Sequence, residues 1–214
     1  MRLAMYDAEL ALRVRRTVDE LAEEFRGVFG PQTIQRCADE SVARLRDARV
    51  ADYVPLFVYK YTRERLLARG QANRSIPKDR PEVLFVCVHN AGRSQMAAAL
   101  IANASQGGVN VRSAGSAPAN EIDPATVEAM AELGIDLSEQ FPKPLADEFV
   151  EAADVVVTMG CGDACPVYPG KLYRDWEVDD PAGQPLPIVR RIRDDIRRRV
   201  EALLRELGVA EGVR

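Results

Sequence analysis

The feature that most constrains the fold is a short apolar segment that carries a cysteine near its end. Residues 83–88 read VLFVCV, a run of β-branched and aromatic side chains with no charged residue. Such a run is typical of a strand at the centre of a parallel sheet, where helices cover both faces. It therefore predicts a buried central strand with Cys87 at its carboxyl end, facing a crevice.

Strand and helix patterns alternate after this segment. VNVRSAG and ADVVVTM have strand character, while a helix that begins at Arg93, a helix over Pro124–Leu133 and a long final helix lie around them. Alternation of this kind means a parallel sheet with crossover helices. We therefore predict an α/β domain over residues 81–214.

The first 70 residues have helical periodicity and almost no strand signal. The apolar positions fall into three groups that predict three helices: Leu10, Val14, Val18, Leu21 and Phe25; Ile34, Cys37, Val42 and Leu45; Leu56, Tyr59, Leu66 and Leu67. Pro55 fits the first turn of the third helix and Gly70 fits its C-cap. This predicts a small all-α three-helix domain over residues 1–72, with Cys37 in its core, joined by a polar linker over 70–81.

Charge and composition exclude several classes of protein. Up to Lys78 the chain has 15 basic and 11 acidic residues, and the remainder has 14 and 22. The small excess of basic residues in the first part is too weak to indicate nucleic-acid binding. The arginines of the final helix are interpreted as its solvated face. No apolar run suits a secretory signal or a membrane span, so we expect a cytoplasmic protein without a membrane partner. In a reducing cytoplasm, four cysteines favour catalysis, redox chemistry or metal binding over structural disulfides.

The loop after the first strand has the composition of an oxyanion cradle. Its candidate anion-binding residues are Val88, His89, Asn90, Ala91, Gly92, Arg93 and Ser94. A tight loop that enters a helix directs its amides and the helix N-terminus at an anion, and Arg93 adds a planar fork. The same field stabilises a thiolate at Cys87 as a nucleophile, and Ser94 can donate to that sulfur. The alternative is a buried cysteine that only packs. His89, the one histidine, is interpreted as a surface residue and not as a base.

These residues resemble a known family. VCVHNAGRSQMA is similar to the phosphate-binding loop of the low-molecular-weight protein tyrosine phosphatase superfamily, and its SQMA continuation is similar to the arsenate reductase branch. The resemblance continues through VRSAGSAP, DPATVEAMAELGIDLS and WEVDDPAGQP, and it covers about residues 81–207. It implies a four-stranded parallel sheet flanked by helices. The N-terminal helices resemble a three-helix extension of some actinobacterial arsenate reductases.

The resemblance also implies roles for two further cysteines. In thioredoxin-coupled arsenate reductases, the residue that matches Cys161 attacks the arsenic adduct on Cys87, and the one that matches Cys165 resolves the resulting disulfide. The two cysteines are closer together here than in that branch, so a low-molecular-weight thiol such as mycothiol is an alternative participant. A zinc site is the other alternative, but the possible ligands form an incomplete set, and we predict no metal.

Asp180 lies in the turn sequence Asp179-Asp180-Pro181-Ala182-Gly183. The resemblance makes Asp180 the general acid, with Asp179 the neighbour most easily confused with it. Tyrosine phosphatases of the superfamily have aromatic residues after this Asp-Pro, whereas Ala182 and Gly183 here favour a small inorganic anion. Related reductases that bind potassium have Glu where this chain has Ala98, so potassium is not predicted.

The resulting hypothesis is an arsenate reductase with Cys87, Arg93, Asp180, Cys161 and Cys165 as catalytic residues. It needs no bound cofactor, but it needs an external reductant, either a thioredoxin-like protein or mycothiol with a mycoredoxin-like protein. Two alternatives stay open: a low-molecular-weight tyrosine phosphatase, and a regulatory protein that senses arsenite.

Overall fold

The computed structural model describes residues 2–45, 54–160 and 166–209. Contacts within the chain divide it into two compact units, Met1–Pro77 and Lys78–Arg214. No helix in these described ranges is long and apolar enough to cross a membrane.

The first unit consists of the three predicted helices. They are α1 (Arg2–Glu24), α2 (Pro31–Arg44) and α3 (Val54–Ala72). Pro31 occupies the first turn of α2, where its missing N–H costs no hydrogen bond. One apolar cluster joins the three helices: Val18, Leu21, Phe25, Ile34, Cys37, Ala38 and Leu66. Cys37 lies in this core, as its spacing predicts.

A buried arginine ties α3 to α2. The Arg65 guanidinium donates to Cys37 O at 3.1 Å, to Ser41 Oγ at 3.2 Å and to Glu40 Oε2 at 2.6 Å. The hydrogen bond from Arg65 lowers the pKa of the Glu40 carboxyl, and the nearby positive charge acts in the same direction. The Glu40 side chain is 45 % exposed, so water screens part of this attraction.

The predicted end of α3 is wrong. Gly70 is not its C-cap, because the helix continues to Ala72. Gly70 instead permits a close approach, since a Cβ there would lie 2.5 Å from Ile76 Cδ1. Ile76 N also donates to Gly70 O at 3.0 Å, so the chain folds back over the glycine after the helix ends.

The second unit has the predicted four-stranded parallel sheet flanked by helices. Its strands are β1 (Glu82–Cys87), β2 (Asn110–Gly115), β3 (Val155–Met159) and β4 (Leu172–Asp175), in the order β2-β1-β3-β4. Its helices are α4 (Arg93–Ser105), α5 (Pro124–Ala131), α6 (Asp147–Ala152) and α7 (Leu186–Glu206). Each neighbouring pair of strands is parallel. All six residues of β1 are buried, as expected for a central strand.

The strand order locates a crevice. The chain runs from β1 to β2 on one side and then crosses to β3 on the other side of β1. In open α/β sheets, ligands bind beyond the carboxyl ends of the strands where the order reverses in this way. Cys87 ends β1, and Gly160 directly follows β3 at this point of the sheet.

Helix α7 covers the sheet with an apolar stripe and exposes charges on its other side. Val189, Ile192, Ile196 and Val200 are among its buried residues. Arg197 and Arg198 pair with acids of the same helix, as Arg199 also does. These pairs are typical of a solvated helix face.

Helix α5 ends at Ala131 and not at Leu133, where its end is predicted. Leu133 N donates to Met130 O at 3.0 Å, and this bond between residues three apart closes a tighter turn than that of an α-helix.

Candidate active site

The Cys87 thiol lies at the base of the loop that follows β1. Cys87 is 2 % exposed. Its Sγ is 3.0 Å from Ser94 Oγ, and it accepts a hydrogen bond from Asn90 N at 3.2 Å. Both contacts come from the loop and the start of α4. The Asn90 amide is therefore a fixed donor to the sulfur, and the Ser94 hydroxyl can add a second bond that stabilises a thiolate.

The loop carbonyls are bonded to segments outside the loop. Val88 O accepts from Ala117 N at 2.9 Å, His89 O from Ala119 N at 2.9 Å, Ala91 O from Asp123 N at 3.0 Å, and Asn90 O from Gln95 Nε2 at 3.1 Å. In a trans peptide, the carbonyl of one residue and the N–H of the next point in opposite directions. The amides of residues 89–92 therefore point to the opposite side of the loop, and the bond from Asn90 N to Cys87 Sγ fits this direction.

Asn90 braces the loop from within. It adopts a left-handed conformation with φ 49°, which Asn tolerates better than most residues. Its Nδ2 donates to Ser94 Oγ at 2.7 Å, and its Oδ1 accepts from Lys143 N at 2.8 Å and from Gln95 Nε2 at 3.2 Å. Asn90 is fully buried, so these bonds are not in competition with water.

Arg93 and Asp180 meet at the rim of the site. Arg93 Nη2 donates to Asp180 Oδ2 at 2.7 Å. The arginine side chain is 9 % exposed and the carboxylate is 45 % exposed, so the acid is the solvent side of the pair. Asp180 Oδ1 also accepts from Ala182 N at 3.1 Å. Asp180, and not its exposed neighbour Asp179, is therefore the carboxylate that reaches Arg93.

Gly160 lies against the same arginine. It has φ 72°, and a Cβ there would lie 2.9 Å from Arg93 Nη1. Gly160 is the last described residue before Cys161. The described residues after β3 therefore end beside Arg93.

The remaining predicted site residues divide into two groups. His89 is exposed and contributes its carbonyl to the loop bonds. Cys161 and Cys165 lie outside the described residues, so their predicted roles stay predictions. Across the described ranges, no three His, Cys, Asp or Glu side chains are grouped so as to hold a metal ion.

Two residues that shape the site, Gln95 and Gly115, are not among those predicted from the sequence. Gln95 bonds Asn90 and also Phe141 O at 3.1 Å, and it is fully buried. Gly115 lies so close to the loop that a Cβ would be 2.7 Å from Val88 O. Gln95 had a detectable signal, since it is a polar residue in the buried first turn of α4. The Gly115 contact joins the end of β2 to the loop after β1 and had no local signal.

Two family models match the chain. Residues 82–211 match the low molecular weight phosphotyrosine protein phosphatase family. Residues 14–70 match the N-terminal domain of protein-tyrosine-phosphatase-like proteins. The two matches fall in different units of the structure.

Similar proteins have been described as arsenate reductases. A putative arsenate reductase of Halobacterium salinarum is 41% identical over 129 residues, which are 58% of this chain and 91% of that protein. A glutaredoxin arsenate reductase of Synechocystis is 33% identical over 59% of this chain and 98% of its own length. The structure of a thioredoxin-dependent arsenate reductase of Corynebacterium glutamicum matches with a TM-score of 0.83 at 41% identity, over 91% of this chain and 96% of that one. The family model, the loop geometry and these similarities agree, and the chain belongs to the low-molecular-weight phosphotyrosine protein phosphatase family.

Proposed function

We propose that this protein is an arsenate reductase that works in the cytoplasm. The observation that carries the proposal is the loop around Cys87, whose bonded carbonyls leave the amides of residues 89–92 on its other side. A tetrahedral oxyanion fits such a ring of amides with an arginine at its rim. The similarity to arsenate reductases at 33% and 41% identity supports arsenate as that oxyanion.

In the first step, the Cys87 thiolate forms a bond to arsenic while one arsenic–oxygen bond breaks. Arg93 turns its fork to the bound oxyanion, which releases Asp180 Oδ2 from its 2.7 Å bond to Arg93 Nη2. The released Asp180 carboxylate takes up a proton from solvent and gives it to the departing oxygen. The oxygen leaves as water. Arsenic stays in the +5 state, because one bond has replaced another without electron transfer.

In the second step, the Cys161 thiolate attacks Cys87 Sγ. The sulfur–arsenic bond breaks and its electron pair stays on arsenic, which becomes arsenic(III) and leaves as arsenite. The two sulfurs have supplied the two electrons and form a disulfide. The contact between Gly160 and Arg93 supports this step, because Gly160 directly precedes Cys161 in the sequence.

In the third step, the Cys165 thiolate attacks Cys161, so Cys87 returns as a thiolate and the disulfide moves to Cys161 and Cys165. An external dithiol then reduces that disulfide. A thioredoxin-like protein is one candidate reductant, supported by the thioredoxin dependence of the Corynebacterium relative. Mycothiol with a mycoredoxin-like protein is the other. No cofactor needs to be bound.

The reductant is identified by supplying each donor system separately. Arsenite production is measured with thioredoxin and its reductase, and again with mycothiol, mycoredoxin and their reductase. We expect turnover with at least one system, and mass spectrometry of the oxidised protein should find the Cys161–Cys165 disulfide. Absence of arsenite with both systems and with dithiothreitol would refute the proposed function.

Substitution of Cys161 tests whether arsenate reduction and ester hydrolysis need different groups. The Cys161→Ser variant should lose arsenate turnover but keep hydrolysis of p-nitrophenyl phosphate, because only reduction needs a second thiol. Cys37→Ala is the matched control, since Cys37 lies in the core of the other unit. Equal loss of both reactions in Cys161→Ser would instead indicate a structural role for Cys161.

A phosphatase is the second candidate, favoured by the family to which the chain belongs. The same loop would bind a phosphate monoester, and Asp180 would protonate its leaving oxygen. Ala182 and Gly183 offer no aromatic wall for a substrate ring, and both are exposed. Comparison of kcat/KM for arsenate and for a phosphotyrosine peptide on one preparation decides between the two.

A further inference from the structure

Pro181, which follows Asp180, packs directly against the loop of residues 88–93 after β1, called here the oxyanion loop. A Cβ at Gly92 would lie only 2.5 Å from Pro181 Cγ and 3.4 Å from Pro181 Cδ. Real Cβ contacts are essentially never that short, so the proline ring fills the space that any side chain at position 92 would need. Pro181 is buried although its neighbours Asp180 and Ala182 are exposed.

The contact is linked to the ion pair by the chain itself. Gly92 and Arg93 are consecutive, and so are Pro181 and Asp180. The Pro181 ring rests on Gly92 while Asp180 Oδ2 accepts from Arg93 Nη2 at 2.7 Å. Two consecutive residues of one segment therefore contact two consecutive residues of the other, and this fixes both the position and the direction of the carboxyl group.

We infer that Pro181 is a positioning residue that holds the Asp180 carboxyl at the mouth of the oxyanion loop, and that Gly92 is required because only a glycine admits the proline ring. The inference rests on the proposed function of Asp180 as the proton donor. The Asp180 side chain is 45 % exposed, and it also accepts the 3.1 Å bond from Ala182 N, which lies in its own segment. Without the proline contact, the ion pair alone would join this exposed carboxyl to the loop that binds the oxyanion.

Gly92→Ala tests the inference through the rate of arsenate reduction. The added methyl group must displace Pro181, and Asp180 moves with it. We expect kcat to fall by about 10- to 100-fold, with a smaller change in KM, because the acid acts in the transition state. Thr126→Val is the matched control. Thr126 Oγ1 borders the same space at 3.5 Å, and no described residue accepts or donates a hydrogen bond to it, so this change keeps the volume and removes no bond.

A double-variant comparison separates positioning of the acid from damage to the loop. In an Asp180→Asn background there is no proton donor left to misplace, so Gly92→Ala should lower kcat by less than about twofold further. A loss as large as in the wild-type background would overturn the inference, because it would mean that Gly92 acts through the loop itself.

The leaving group of a phosphate ester gives a readout that does not depend on arsenate. Departure of p-nitrophenolate needs little protonation, whereas departure of phenolate needs the acid. Gly92→Ala and Pro181→Ala should both slow phenyl phosphate hydrolysis by a larger factor than p-nitrophenyl phosphate hydrolysis. Equal slowing of the two esters would overturn the inference.

The wild type distinguishes failure of the two proposals. If it hydrolyses esters but reduces no arsenate, the proposed function fails, and hydrolysis of the two esters still tests the positioning role. If the wild type turns over neither, both proposals fail.

A double variant provides the last test, and measurement of its fold and stability excludes misfolding as the cause of lost activity. Pro181→Ala removes the Cγ atom that a residue 92 methyl would contact. The Gly92→Ala/Pro181→Ala double variant should therefore be more active than Gly92→Ala alone. A double variant that is equally or less active, with the circular dichroism and melting temperature of the wild type, would contradict the steric basis of the inference.

Discussion

The first unit and the candidate site of the second unit are held by different kinds of contact. In the first unit, ion pairs join side chains of different helices, as Arg65 does with Glu40 and Arg63 with Glu24. In the second unit, the candidate site is built mainly from backbone groups, and side chains such as Asn90 serve to hold that backbone. A solvent-exposed pair such as Arg63 and Glu24 tolerates the loss of one partner, whereas a loop of directed amides does not. Changes in the two units should therefore have very different effects.

The largest effect is expected at the sulfur. Cys87→Ser should lower arsenate turnover by at least about 10⁴-fold, because a serine hydroxyl is a far weaker nucleophile than a thiolate and cannot form the sulfur–arsenic bond. Binding of sulfate, measured by calorimetry, should persist, since the loop amides are unchanged. Loss of sulfate binding would show that the sulfur, and not the backbone, organises the loop.

Asn90→Ala removes the brace of the loop. The change deletes the bonds to Ser94 Oγ, Lys143 N and Gln95 Nε2, and it leaves a non-glycine residue at φ 49°. We expect the free energy of unfolding of the second unit to fall by about 3 kcal/mol, measured by urea denaturation. Asn90→Gly removes the same bonds but suits φ 49°, so it should recover part of this loss. Equal stability of all three proteins would show that the loop does not need its side-chain support.

Gly160→Ala tests the contact at the rim. The methyl group would displace the Arg93 guanidinium, so KM for arsenate should rise about tenfold, which corresponds to about 1.4 kcal/mol. Gly134→Ala is the matched control. Its φ of 70° is close to the 72° of Gly160, and nothing lies within 4 Å of its Cβ position. A similar rise in KM for both variants would attribute the effect to backbone strain.

The smallest effect is expected in the first unit. Because the hydrogen bond from Arg65 lowers the pKa of Glu40 in the folded state, Glu40 stabilises the fold above its unfolded pKa, and this stabilisation is lost as the pH falls through its folded pKa. Glu40→Gln should reduce the free energy of unfolding by about 1 kcal/mol at pH 7, allowing for solvent screening. The difference should begin to shrink as the pH falls below the unfolded pKa of about 4.3, and it should vanish below the lower folded pKa.

Arsenate turnover of Glu40→Gln should match the wild type. Glu23→Gln, which breaks the exposed pair with Arg26 in the adjacent turn of the chain, should have a smaller effect on unfolding. A change of turnover in Glu40→Gln would show that the first unit acts on the reaction, and the contrast between the two units would no longer hold.

Much of this architecture could be predicted because its signals are local. The apolar run of β1 and the turn chemistry around Asn90 are both readable within a dozen residues. β4 was not located, because Leu172–Asp175 is a short strand with mixed polarity and partial burial. Gly70 was misassigned as a cap because a glycine near a helix end usually has that role, whereas here it makes room for Ile76.

The sequence by itself determined the parallel α/β fold, the three preceding helices and the position of Cys87 at a strand end, since hydrophobic period and turn residues act over short distances. Only the tertiary structure decided which groups meet at the site. The pairing of Arg93 with Asp180 spans 87 positions of the chain, and Gly92 meets Pro181 across a similar separation. No local pattern encodes such contacts, because they depend on how crossover connections bring separate strand ends to one edge of the sheet.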